Sequence, residues 1–328
     1  MNLSFKGLAA GVAATIAILG GATPSISQEV TLTAASCFPI GSPPGVPFER
    51  VVEALNERGA GIVQIDLKGG APAIGSPFTL TQKMSLGVYD MVGCTEAYFG
   101  NVFPEAPALR LSEYSYAELR ENGGLDLLSQ IMEEKGIHYV GRHENLGPFY
   151  LWLSQPIDGP DLTGLNLRVS PVYTALFTSL GATVQTSNIG QVYTYMENGT
   201  VQGYGWPALG WVPTWAEVTK YRVEPGFYEA VLHTMVNQAK WETLTAEQQE
   251  FITTVVLEFE ANSELGSEAF QARLAAQHAK TLEGGLTAIV FEGDDAETWV
   301  NAARDAAWAE VLERSPEHGA RLMELLTK

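Results

Sequence analysis

Cysteine and histidine are scarce in this chain, two and five respectively among 328 residues. His138 and His143, five apart around Gly141, read as surface or hinge residues, because zinc sites gather more partners in tighter context. No G-x-S-x-G elbow, H-E-x-x-H pair or P-loop is present, so nothing nominates a nucleophile with its base. An enzyme is therefore not expected, nor a metal or a cofactor. Positive charge is also short, with 19 Lys and Arg against 38 Asp and Glu, a net charge of −19. So acidic a surface repels polyanions and excludes nucleic acid and anionic lipid as partners. Long apolar runs are missing except over residues 8–19, which follow Lys6 and lead into Pro24-Ser25-Ile26-Ser27. That run is shorter than the roughly 20 residues of a membrane span. It reads as a secretory signal peptide cleaved near Ser27, which makes the mature chain, from Gln28, a periplasmic one. Lys6 is the only charge removed, so the mature balance is 18 − 38 = −20.

What is present is ample globular content: 46% hydrophobic and 17% charged residues over a length that exceeds one ordinary core. Two lobes are expected, and the chain nearly repeats itself. Met84, Gly87, Gly93 and Cys94 recur at the same offsets as Met196, Gly199, Gly205 and Trp206, apart from the last residue of each set. Upstream, strand, helix and strand over residues 30–36, 48–58 and 61–67 are matched by residues 165–169, 171–180 and 182–186. Equivalent lobes put Cys94 and Trp206 at matching strand ends facing one crevice, with Cys37, Phe38, Glu96 and Tyr98 near its mouth. Gly93 and Gly205 would then let backbone approach a ligand, or simply make turns.

Within the second repeat, Leu165, Leu167 and Val169 alternate with Asn166 and Arg168, and Ser170 and Pro171 supply an N-cap and first helical residue. Arg168 thus stands at the carboxyl end of a strand, the edge where open α/β sheets bind ligands. A guanidinium there is a permanently charged fork matched to a carboxylate, in a protein that is otherwise strongly acidic. Large rings crowd the same region: Tyr204, Trp206, Trp211 and Trp215, with Tyr150, Trp152 and Tyr173 near them in the expected sheet. Farther on, Thr245 and Gln248 form a capping-box pattern, and a helix to about Lys280 would run behind both lobes as a spine unless Gly266 breaks it.

Four phrases carry a family resemblance: Leu162-Thr-Gly-Leu-Asn-Leu-Arg168-Val-Ser-Pro-Val-Tyr173, Leu180-Gly-Ala-Thr183, Gln191-Val-Tyr193 and Gly199-Thr-Val-Gln-Gly203. Over the mature chain they resemble solute-binding proteins of the tripartite ATP-independent periplasmic (TRAP) transporters, dicarboxylate-binding type. The resemblance implies an α/β, two-lobed periplasmic binding protein fold, each lobe a small mixed sheet flanked by helices, with a long C-terminal helix spanning both. The expected division is residues 1–27 as signal peptide, 28–146 plus about 234–272 as the first lobe, and 147–233 plus about 273–328 as the second. It also implies capture of a small organic acid by lobe closure, Arg168 as the partner of its carboxylate, and delivery by a monomer to TRAP membrane permease subunits. The chain departs from many relatives where a second arginine falls at Pro148 or Phe149, where an asparagine precedes Pro207, and where an aromatic residue falls at Ile189.

The expected ligand contacts are Arg168, Trp206, Tyr204, Trp211, Tyr173, Phe38, Cys37, Glu96, Tyr150 and Ser170. Two ligand classes fit them. One is a mono-acid with an apolar or aromatic body, and the other is a zwitterion, betaine-like or ectoine-like, whose cation sits among rings. A periplasmic ligand sensor and an exported hydrolase remain as competing classes. Cys37 and Cys94, an even pair in an exported chain, stand either as a disulfide or as two buried thiols.

Overall fold

The structure is a computed structural model that describes residues 28–328 together with Met1; the signal peptide expected over residues 1–27 otherwise lies outside the described residues. Ten strands form one mixed sheet: β1 (Val30–Ser36), β2 (Val63–Gly70), β3 (Met91–Thr95), β4 (Ile137–Leu153), β5 (Asn166–Val169), β6 (Thr183–Thr186), β7 (Gly203–Pro207), β8 (Tyr221–Glu224), β9 (Phe227–Asn237) and β10 (Thr287–Val290). Their order along the main path is β2-β1-β3-β9-β4-β7-β5-β6, with β8 on β4 and β10 on β8.

That order is the sequence repeat made spatial. From one edge inward run β2, β1 and β3, parallel to one another, and then antiparallel β9; from the other run β6, β5 and β7, parallel again, and then antiparallel β4. The repeated glycines match in detail. A Cβ on Gly93 would lie 2.2 Å from the Phe48 ring, and one on Gly205 would lie 2.7 Å from the Tyr173 ring. Each glycine therefore admits a ring from the helical segment that follows its lobe's first strand. That is their use here, rather than close approach to a ligand.

The two halves share β4 and β9. The first part of β4 pairs with β9, and its last five residues, Phe149 to Leu153, pair with β7. Between them the β4–β9 register slips four times, from Tyr139 to Phe149. Extra residues in one strand bend and twist a ladder, so the irregular stretch is where one half of the sheet turns relative to the other.

The helix Ala246–Asn262 begins with the Thr245–Gln248 capping box, and it packs on β4 and on the helix Val46–Arg58. The spine is not continuous: Ser263 ends this helix and Ser267 caps the next, Glu268–Glu283, with Gly266 in the break. Glu268–Glu283 continues toward the second half, where His278 meets Tyr150 and Thr281 accepts from Arg222. The helix Gly293–Arg314 also bridges, touching both Thr174–Ser179 and Ala106–Arg110. The tail departs from the expected division, because Gly319–Leu326 packs on Gly124–Glu133 of the first half and Asn122 donates to the Leu325 carbonyl.

Candidate ligand-binding site

Arg168 lies in β5, one residue before its end, and is completely buried. Its Nε donates to Ser187 Oγ at 3.2 Å, one terminal nitrogen to the Tyr173 hydroxyl at 3.1 Å, and the other to the Ser187 carbonyl. Tyr173 in turn donates to the Gly205 carbonyl at 2.7 Å, which fixes its position. These contacts use three of the five guanidinium N–H groups and leave one on each terminal nitrogen, the pair that a carboxylate takes in bidentate fashion. No carboxylate of the described residues lies within ion-pair distance of Arg168, whereas buried Arg142 reaches Glu264 at 2.8 Å and buried Arg222 reaches Glu224. An interior charge without a counter-ion costs several kcal/mol, so Arg168 is held ready by neutral oxygens for an anion.

Beside it lies a cavity of about 20 Å³ where the halves meet. Phe38, Thr95, Ala97 and Tyr98 line it from the first half, Leu146, Phe149, Ala230 and Leu232 from the shared strands, and Ser170, Trp206 and Pro207 from the second. The space suits about one water, so an acid of several heavy atoms enters only if the halves part. Phe38 stands edge-on to Trp206 with centroids 6.5 Å apart, and the Trp206 ring faces the Arg168 guanidinium carbon at 5.4 Å. The buried Tyr98 hydroxyl has no hydrogen-bond partner. Burial pushes its pKa up to about 12, opposed by the positive charge and the neighbouring N–H groups of Arg168, so it remains a proton donor at neutral pH. Beyond Tyr98 and Ala97 a hollow of about 360 Å³ runs between Phe78 and Thr79 on one side and Pro171 and Thr186 on the other.

Of the residues expected from sequence, Phe38, Ser170 and Trp206 line the cavity; Arg168 and Tyr173 do not, Arg168 lying 5.4 Å from the ring of lining Trp206 and bonded to Tyr173. Cys37 does not line it: it is joined to Cys94 in a disulfide, with Cα atoms 5.0 Å apart, beneath Phe38. Tyr204, Trp211 and Tyr150 do not line it either. Tyr150 and Trp206 are opposite one another across the β4–β7 ladder, as are Trp152 and Tyr204, so these rings share one face of the sheet. Only Trp206 is near enough to the strand end to reach the cavity. Tyr204 lies deeper, stacked on Trp152 and accepting from Trp211 Nε1 at 2.8 Å, and Tyr150 turns to Arg222, 5.1 Å from its ring.

Glu96 is directed elsewhere as well. It is fully buried, with Oε2 3.3 Å from His233 Nε2, and His233 continues to the Tyr139 hydroxyl at 3.1 Å. The helix begun at Thr95 turns neighbours to different sides, sending Ala97 and Tyr98 to the cavity and Glu96 to β9. Sequence reasoning missed Leu146, Ala230 and Leu232, whose strands carry no motif, and it did not anticipate His233 as the partner of Glu96. Phe149 had a signal, since the resemblance expects a second arginine at Pro148 or Phe149. Among the described residues no group of three His, Cys, Asp or Glu could hold a metal ion.

Residues 39–315 match the family DctP, bacterial extracellular solute-binding protein, family 7. A solute-binding protein of Roseobacter denitrificans is 25% identical over 253 residues, which are 74% of this chain and 75% of that protein. Among solved structures, a TRAP periplasmic solute-binding protein from Desulfovibrio salexigens with bound orotic acid superposes with a TM-score of 0.78 at 18% identity, covering 90% of this chain and 97% of that one. Another, from Sulfitobacter sp. NAS-14.1 with bound β-D-galacturonate, gives 0.76 at 20% identity over 90% and 99%. A third, from Roseobacter denitrificans with bound L-galactonate, gives 0.74 at 21% identity over 91% and 99%. The fold is that of these two-lobed proteins, and the chain belongs to the bacterial extracellular solute-binding proteins of family 7.

Proposed function

We propose that the mature chain, from Gln28, is a periplasmic receptor that takes up a small organic acid and presents it, as a monomer, to the membrane permease subunits of a TRAP transporter. The acid's carboxylate pairs with Arg168, its body lies against Phe38 and Trp206, and the halves of the sheet close over it by bending at β4 and β9. Touching both halves lets the ligand stabilise the closed form.

The observation that carries this reading is a buried guanidinium with neutral partners, two N–H groups to spare and no carboxylate beside it. Orotic acid, galacturonate and galactonate, held by the structural relatives, are all organic acids. The zwitterion class is disfavoured by the same geometry, because the Trp206 face that would receive a ligand cation is turned toward Arg168. The test is a thermal-shift screen of organic acids on the chain from Gln28 and on Arg168→Ala. A ligand at about 1,000 times its Kd adds about 4 kcal/mol of stability. That gain is expected in the parent and absent from the variant; an equal gain in both would refute the proposal.

A further inference from the structure

We infer that the acid is a mono-acid with a flat or branched apolar body, and that the cleft rejects polyhydroxylated sugar acids and di-acids; this rests on the carboxylate reading of Arg168. Eight of the eleven residues lining the cavity are apolar, and the largest of them are Phe38, Phe149, Trp206, Leu146 and Leu232. The polar groups that remain are mostly committed. Thr95 Oγ1 donates to Glu96 Oε2 at 3.0 Å and accepts from Ala97 N, and Trp206 Nε1 donates to the Gly210 carbonyl at 2.6 Å. Among the lining side chains, the Tyr98 hydroxyl is the one buried without a partner. The Arg168 charge acts on Tyr98, so this spare donor lies at the carboxylate end.

The far end offers hydrocarbon. A sugar acid carries several hydroxyls, and each one buried there without a partner costs about 1 to 3 kcal/mol, or roughly tenfold to a hundredfold in affinity. A second carboxylate fares worse, because no lining residue is a cation that could meet it. An apolar body instead buries its own surface against the rings, with Phe38 and Trp206 set at 88° so that one ring presents its edge where the other presents its face.

The experiment is isothermal titration of the chain from Gln28, unfolded and refolded beforehand to strip any carried ligand. The probes are benzoate, phenylacetate and 3-methyl-2-oxobutanoate against D-glucuronate, D-galacturonate and succinate, repeated on Arg168→Ala and on Arg168→Lys as a charge-retaining control. The expected result is that at least one of the first three binds a hundredfold or more tighter than each of the last three, and that both variants lose it. Glucuronate, galacturonate or succinate binding equally well or better, but lost in the variants, overturns the inference while leaving the organic-acid function intact. An apolar acid bound equally by parent and variants removes Arg168 from the site and both readings with it. No response to any of the three apolar acids also overturns the inference.

Discussion

At the scale of single residues, the proposed receptor function rests on one charge and the rings around it. Arg168 is fixed by Ser187 and Tyr173, so little ordering is left to do when a carboxylate arrives. Arg168→Ala removes a buried charged partner, and a loss of a hundredfold or more in ligand affinity is expected, measured by titration calorimetry. In the proposed site Trp206 would contribute contact area, because its indole N–H is spent on Gly210. Trp206→Ala should therefore weaken binding roughly tenfold to a hundredfold through lost burial, with an apolar ligand losing more than a polar one. Equal losses for both kinds of ligand would count against stacking. Arg168 was legible in the sequence because strand alternation and a following Ser-Pro place it at a strand end. The roles of Glu96, Tyr204 and Trp211 were not, since strand position tells which face a residue shares but not how far from the cavity it lies, nor that His233 waits on a distant strand.

At the scale of elements, the lobes are held internally and joined through β4 and β9. The disulfide between Cys37 and Cys94 links the loop after β1 to β3 across a separation of 57 residues. Closing so long a loop restricts the unfolded chain, and the double variant Cys37→Ser/Cys94→Ser should lose about 2 to 4 kcal/mol in urea unfolding. Retained ligand affinity in that variant is expected too, because neither sulfur lines the cavity. Between the halves, buried Arg110 donates to the Val172 carbonyl and lies 4.3 Å from the Tyr228 ring centroid. This contact ties the two sides, and Arg110→Ala should favour the open form, seen as ligand dissociation several-fold faster in stopped-flow displacement. The repeat of strand, helix and strand was readable from glycine and methionine offsets, and the sheet order bears it out. The spine's division at residues 263–267 was foreshadowed by Gly266, while the side of the molecule that Gly319–Leu326 covers depended on tertiary packing that no local pattern encodes.

At the scale of the whole molecule, acidity and buried imidazoles set the response to pH. Burial, helped by the charge of His233, pushes His143 down to about 3, and burial pushes His138 down to about 4 against its hydrogen bond to Gln238. Both folded values lie below the ordinary 6.5, so below that pH the unfolded chain binds more protons than the folded one. Their contribution is complete above about pH 6.5 and is lost as pH falls toward 3. Glu229, raised by burial, acts in the opposite sense as pH rises through its titration. Thermal melts from pH 7 to pH 4 should show a falling Tm, with a shallower fall in His143→Gln; an identical slope would mean that His143 is not buried as a neutral ring. Two lobes were legible from length and the internal repeat, whereas the shared sheet was not, because β4 and β9 owe their length to pairings on both sides.

The central claim is that Arg168 holds the ligand's carboxylate, and the most direct measurement is one titration of the best organic acid into the parent chain and into Arg168→Ala, with folding of both verified by thermal melting. Saturable binding in the parent and none in the folded variant is expected. The same affinity in both would contradict the claim and send the search for the ligand away from this cleft.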